Sequence, residues 1–154
     1  MWLGESEHSL DAKNRVHLPK RFLDGLDACG EGNPSAIVTR GFEDCLFVFS
    51  ESGFKQALGR LKTQPFAGEQ ERRMQRLFFS HSKATQLDSA GRLLLPEKLK
   101  NSAAIVKDVV MLGLIDRIEI WAKDRWEAFH AAHGKEFDEL DKVLLGGSEQ
   151  DAQV

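Results

Sequence analysis

The sequence has little of what marks a secreted, membrane-spanning or motif-bearing catalytic protein. Its only two cysteines are Cys29 and Cys45. They have no CxxC spacing, so reduced thiols are expected rather than a disulfide or a zinc site. No stretch is long or apolar enough to cross a membrane, and Met1-Trp2-Leu3-Gly4-Glu5 lacks the basic region and apolar run of a signal peptide. A cytoplasmic protein is the expectation. Gly-x-Ser-x-Gly, P-loop, HExxH and dinucleotide fingerprints are all absent, and no nucleophile stands beside a base, so neither an enzyme nor a cofactor is expected. His130 and His133 beside Glu136 have a spacing that can bind metal, but no further ligand follows a compelling pattern. They read as a solvated helix face, with no metal expected. Excess positive charge is missing too: the net charge is −3 and the pI is near 6.0, which at first sight argues against nucleic acid as a partner.

What the chain does contain is one phrase said twice. Leu10-Asp11-Ala12-Lys13-Asn14-Arg15-Val16-His17-Leu18-Pro19-Lys20 recurs without a gap, 77 positions on, as Leu87-Asp88-Ser89-Ala90-Gly91-Arg92-Leu93-Leu94-Leu95-Pro96-Glu97, which indicates an internal duplication. The residue before each Arg, Asn14 or Gly91, is of the type that best tolerates a left-handed backbone. The spacing therefore predicts a three-residue hairpin loop, a type I turn followed by an αL residue, with Asp and Arg paired across it. Val16-His17-Leu18 and Leu93-Leu94-Leu95 follow as short strands. Pro19 and Pro96 end them and start short helices.

The rest of each half repeats as well. Lys20 to Leu26 reads as a helix burying Phe22, Leu23 and Leu26, and Cys29 to Pro34 as loop. Ala36–Thr39 and Leu46–Phe49 form a second hairpin, followed by a helix over roughly Glu51 to Leu61 with Ser50 as its N-cap and Phe54, Leu58 and Leu61 on one face. In the second half Val109–Leu112 and Ile118–Trp121 flank Gly113-Leu114-Ile115-Asp116, at an offset of 72 that matches Gly41 to Gly113 and Asp44 to Asp116. Glu69 to Phe79 is a helix with Met74, Leu77 and Phe78 on one face. Arg72, Arg73 and Arg76 on it read as a solvated face paired with Glu69 and Glu71. Trp2, Trp121 and Trp126 are expected in the core or at a subunit contact. A weak helix over Lys135 to Leu145 and a frayed acidic tail end the chain. A half of this size cannot bury both faces of its own sheet, so the duplication predicts an α+β fold: an intertwined β core with peripheral helices about a pseudo-two-fold axis.

Charge is unevenly placed. Residues 11–23 hold Lys13, Arg15, Lys20 and Arg21 against Asp11 alone, while the acids gather beyond residue 134. A local basic patch can bind phosphates on an acidic protein.

The paired Asp-x-x-x-Arg hairpins followed by Leu-Pro resemble the MraZ family, as do Gly4, Arg72-Arg73-Met74-Gln75-Arg76-Leu77-Phe78-Phe79, and Gly113 to Trp121. The resemblance, which covers roughly residues 1–130, implies two tandem SpoVT-AbrB-like modules, over residues 5–52 and 81–124, joined by linking helices over 53–80; the C-terminal helix and acidic tail assigned to 125–154 take nothing from it beyond residue 134. It further implies a double-split β-barrel, assembly into a ring-shaped homo-oligomer, and a nucleoid-associated regulator of transcription. Such regulators bind double-stranded DNA at short direct repeats upstream of their own gene, in the division and cell-wall gene cluster. Where the family usually has Lys-Gly-Arg in the first signature, this chain has Lys13-Asn14-Arg15, and Asn still suits the turn. Site expectations follow: Arg15, oriented by Asp11, enters the DNA groove, with His17 on its face and Lys13, Lys20 and Arg21 on phosphates. Asp88 and Arg92, beside Leu94 and Glu97, form a structural hairpin or a secondary DNA contact. The other reading is that both Arg residues only lock their turns, in a ring-forming scaffold that binds no specific DNA.

Overall fold

The computed structural model describes residues 1–29, 32–59 and 68–151, with side chains except at 28, 29 and 147–151. The expected position of Leu61 lies outside the described residues. The chain divides into two compact units, Met1–Lys123 and Asp124–Val154.

In the first unit the elements run β1 (Trp2–Ser9), β2 (Arg15–His17), α1 (Lys20–Leu23), β3 (Ala28–Cys29), β4 (Asn33–Arg40), β5 (Leu46–Phe49), α2 (Glu51–Leu58) and α3 (Glu69–Ser80). The second half follows with β6 (Ser82–Gln86), β7 (Arg92–Leu94), α4 (Glu97–Ser102), β8 (Asp108–Ile115) and β9 (Ile118–Ala122). The fold is α+β, with an antiparallel seven-stranded sheet in the order β1-β8-β9-β5-β4-β3, β6 pairing β4, and a separate two-stranded ribbon of β2 and β7. Among the described residues the sheet does not close into a barrel. The stretch read as loop before Pro34 instead holds β3 and the start of β4, paired Ala28 to Pro34 and Cys29 to Asn33.

The halves are interleaved. β1 pairs not with its own hairpin but with β8 of the second half, Trp2 opposite Ile115 through Ser9 opposite Asp108. Reciprocally, β6 pairs with β4 of the first half. Two pairings lie on the pseudo-two-fold itself, Val16 opposite Leu93 in the ribbon and Phe47 opposite Glu119 where β5 meets β9. The register corrects one equivalence. Ser35 pairs Gln86 as Asp108 pairs Ser9, so β4 maps onto β8 at an offset of 73, whereas Phe47 and Glu119 keep 72. The second turn is therefore one residue shorter. Gly113 to Ile115 belong to β8, the Leu114 N–H donates to the Arg117 carbonyl at 2.9 Å, and Gly41 corresponds to Leu114. Gly113 instead serves a close approach: a Cβ there would lie 2.6 Å from the Leu3 backbone nitrogen.

The β-branched and aromatic runs of β5 and β9 are buried throughout, as fits strands covered on both faces. Val16, Phe22, Val38, Leu46, Val48, Leu93, Ile118 and Ile120 are fully buried in one core that also takes in Leu87, Leu95 and Leu99. Trp2 joins it, its Nε1 donating to the Phe22 carbonyl at 2.9 Å. Buried Glu119 is compensated, accepting from Trp121 Nε1 at 2.9 Å and pairing with Arg117 at 3.1 Å. Cys45 is a free buried thiol donating to the Phe42 carbonyl, and burial pushes its pKa up, so it is not a reactive group.

Ser50 caps α2 as expected, accepting from the Gly53 N–H at 3.0 Å. On α3 the expected apolar face does not hold: Phe78 and Phe79 are half-buried and pack on Phe54, while Met74 and Leu77 are exposed at 53% and 63%. Arg73 pairs with Glu69 at 3.0 Å. In the second unit α5 (Lys123–His133) is followed by a 3-10 stretch, Gly134–Glu139, and α6 (Leu140–Asp151). The last helix starts later than periodicity suggests and runs through Gly146 and Gly147, against their intrinsic preference. His133 Nδ1 lies 3.1 Å from Glu136, and no group of three metal-ligating side chains occurs among the described residues. No helix there is long and apolar enough to cross a membrane.

Candidate nucleic-acid interface

Each Asp-x-x-x-Arg loop is built from its own aspartate. Asp11 Oδ1 accepts from the backbone N–H groups of Lys13 and Arg15, both at 2.9 Å, and its Oδ2 accepts from Arg15 Nε at 2.8 Å. Backbone bonds close the loop, Asn14 N–H to Asp11 carbonyl at 3.1 Å and Asp11 N–H to Arg15 carbonyl at 2.9 Å. The second copy repeats the set: Asp88 accepts from the Ala90 and Arg92 N–H groups at 3.0 and 2.9 Å and from Arg92 Nε at 2.7 Å. The αL residue is the expected one in both, Asn14 at φ 61° and Gly91 at φ 76°. The backbone N–H of Arg15, then its guanidinium, hold the Asp11 carboxyl down at about 2. Asp88 is lowered for the same reason. Each arginine is therefore aimed by a carboxylate that is ionised at any ordinary pH, bonded through its Nε.

Sequence spacing places two separate tips; the structure joins them. Arg15 stands opposite Leu94 and His17 opposite Arg92 in the ribbon. Because Val16 and Leu93 point into the core, Arg15, His17, Arg92 and Leu94 share the outer face. Arg92 Nη1 lies 3.9 Å from Asp11 Oδ2, so the two ion pairs form one cluster. Arg15 and Arg92 have the same side-chain exposure, 29%, which makes the second arginine as accessible as the first. The halves also lock each other: the Leu95 N–H donates to the Asn14 carbonyl and the Leu18 N–H to the Gly91 carbonyl, at 2.9 and 3.1 Å.

Lys13, His17, Lys20 and Arg21 are exposed. Arg21 is held in place, Nη2 donating to the Glu5 carbonyl at 3.2 Å and its guanidinium 4.8 Å from the centre of the Phe22 ring. Sequence reasoning missed His8, which lies within Coulombic reach of Arg21 and His17. Burial, then those two charges, lower its pKa, and its Nε2 is 2.6 Å from Ser6 Oγ. No spacing rule brings His8 to the ribbon, because β1 reaches it only through tertiary packing. Lys100 was missed as well: it donates through Nζ to Asn14 Oδ1 at 3.1 Å, bracing the first turn from α4.

A family profile described as "MraZ protein, putative antitoxin-like" matches the chain twice, over residues 1–77 and 78–146. Three curated relatives each carry the name Transcriptional regulator MraZ. That of Desulforamulus reducens is 35% identical over 145 residues, 94% of this chain and 98% of the relative. That of Clostridium beijerinckii is 36% identical over 144 residues, 94% and 96%, and that of Acetivibrio thermocellus is 36% identical over 129 residues, 84% and 86%.

Proposed function

This chain belongs to the MraZ family, a family of transcriptional regulators and not of enzymes, and from that premise we propose that it binds double-stranded DNA through the β2–β7 ribbon. The observation that carries the reading is the ribbon's outer face. On a protein of net charge −3, Arg15, Arg92 and His17 share one surface, flanked by Lys13, Lys20 and Arg21. A two-stranded ribbon fits the major groove, and a guanidinium there can reach guanine O6 and N7. Asp11 holds Arg15 ready for that contact, Arg92 makes a secondary one from the neighbouring strand, and Lys13, Lys20 and Arg21 neutralise phosphates.

The finer parts of the reading follow the family resemblance. The targets are short direct repeats upstream of the protein's own gene, in the division and cell-wall cluster. The two modules span residues 5–52 and 81–124, and the open sheet with its ribbon stands for the two parts of a double-split barrel. Protomers assemble into a ring in the cytoplasm, associated with the nucleoid. One protomer offers few contacts, so affinity comes from several protomers on successive repeats.

Fluorescence anisotropy of the protein against its native upstream duplex, with a scrambled duplex as control, tests this. Preference for the native duplex is expected. With three phosphate-neutralising cations per protomer, affinity per engaged protomer should fall about fortyfold between 50 and 200 mM salt. Equal binding to both duplexes, or insensitivity to salt, would reject the reading in favour of a ring-forming scaffold.

A further inference from the structure

The four side chains on the ribbon's outer face fall on two diagonals. Arg15 and Arg92 occupy one and exchange places under the pseudo-two-fold; His17 and Leu94 occupy the other and exchange likewise. The first diagonal is chemically symmetric and the second is not. Leu94 is 45% exposed between Leu93 and Leu95, which are buried at 0% and 1%. It is thus a large apolar side chain left outside the core on an otherwise polar face.

A ribbon with identical residues on both diagonals would look the same to DNA after a half-turn and could not tell one direction along the duplex from the other. Here the half-turn replaces an imidazole, which donates and accepts hydrogen bonds, with an isobutyl group. The major groove offers an apolar counterpart to that group in the 5-methyl of thymine. We propose that Leu94 and His17 set the direction in which the ribbon sits on DNA, Leu94 seating against the 5-methyl of a thymine next to the base pair that Arg15 reads, and His17 meeting a purine N7. The proposal rests on the DNA-binding reading above and adds, to the one-sided phosphate cations Lys13 and Lys20, the residues through which the pseudo-symmetric ribbon reads direction from the bases.

The test is to replace each thymine of the native upstream duplex, one at a time, with deoxyuridine, which removes only the methyl group, and to titrate each duplex by anisotropy. For the unaltered protein, deoxyuridine should weaken binding about fourfold, the effect of one buried methyl group, at a thymine on one strand only of each repeat. Leu94→Ala, and Leu94→Gln as a second variant of similar length, should bind the methyl-free duplex as the unaltered protein does and show no further loss on thymine removal. His17→Leu, which makes the second diagonal symmetric, should acquire sensitive thymines on both strands. Indifference of the unaltered protein to every deoxyuridine, while it still prefers the native duplex, would overturn the role of Leu94 and leave DNA binding standing. Full retention of sensitivity in both Leu94 variants would do the same. Loss of preference between native and scrambled duplexes would overturn both readings.

Discussion

The two hairpin turns share a backbone and differ in what surrounds it. In each, an aspartate caps the loop with three hydrogen bonds and an αL residue completes the turn. Asn14, in the first, is held by Lys100. Its counterpart Gly91 is buried, and a Cβ there would lie 2.8 Å from Leu23 Cδ1. Lys100 and Leu23 are themselves equivalents at the 77-residue offset. One site thus solved the same backbone requirement with a braced polar side chain and the other with no side chain at all. Duplication preserved the turn chemistry, which is local, and released everything the turn touches. Around it Lys13 has Ala90 as its equivalent and Lys20 has Glu97, whereas Arg21 has Lys98, so the cations at the turn and at the helix start occur on one copy only.

That asymmetry can be broken in several ways. The largest effect is expected from Arg15→Ala, which should weaken specific DNA binding by about 5- to 150-fold, the range of one bidentate base contact, while the melting temperature falls only slightly, since the ion pair given up to Asp11 is partly exposed. Arg92→Ala should lose less; an equal loss would erase the distinction between the copies. Transplanting the first copy's residue into the second, Gly91→Asn, should destabilise the protein by about 1–3 kcal/mol through overpacking against Leu23, readable in a denaturant titration. The reciprocal Asn14→Gly forfeits only the bond from Lys100 and should cost about 0.5–1.5 kcal/mol at most. A larger cost for Asn14→Gly than for Gly91→Asn would refute the steric account.

Acid provides a subtler probe. Asp11 titrates lower in the folded chain than its ordinary value of 3.8, so the stability it supplies is fully present above that value and is lost as the pH falls through about 2. Asp11→Asn should flatten the acid limb of the stability curve. His8, also lowered from 6.5, should make stability decline as the pH drops below that value, and His8→Gln should remove this decline.

The turns were legible in the sequence because their determinants, a capping carboxylate and an αL residue, sit within five consecutive positions. The Ser50 cap was legible for the same reason. What brings Arg92 beside Arg15 is the β2–β7 register, and nothing within either copy encodes the partner strand. The duplication pointed to interleaving, but the pairing of β1 with β8 depends on contacts about a hundred residues apart. On α3, apolar spacing identified the helix, yet Phe54 of α2 selects Phe78 and Phe79, leaving Met74 and Leu77 in solvent. Likewise the Gly41–Gly113 match was plausible as letters, and the one-residue difference between the turns emerged only from the pairing.

The exchange of first strands between halves also bears on how the protein is made. β1 leaves the ribosome about a hundred residues ahead of its partner β8, which ends at Ile115. At roughly 5–20 residues per second, translation keeps that strand waiting on the order of 5–20 s. Throughout that interval the strand has Phe22 and Arg21 to lean on but no partner for its backbone ladder. The newborn chain is thus a sticky object until its second half arrives, and a pause in synthesis within that window would expose it to aggregation or to capture by another nascent copy.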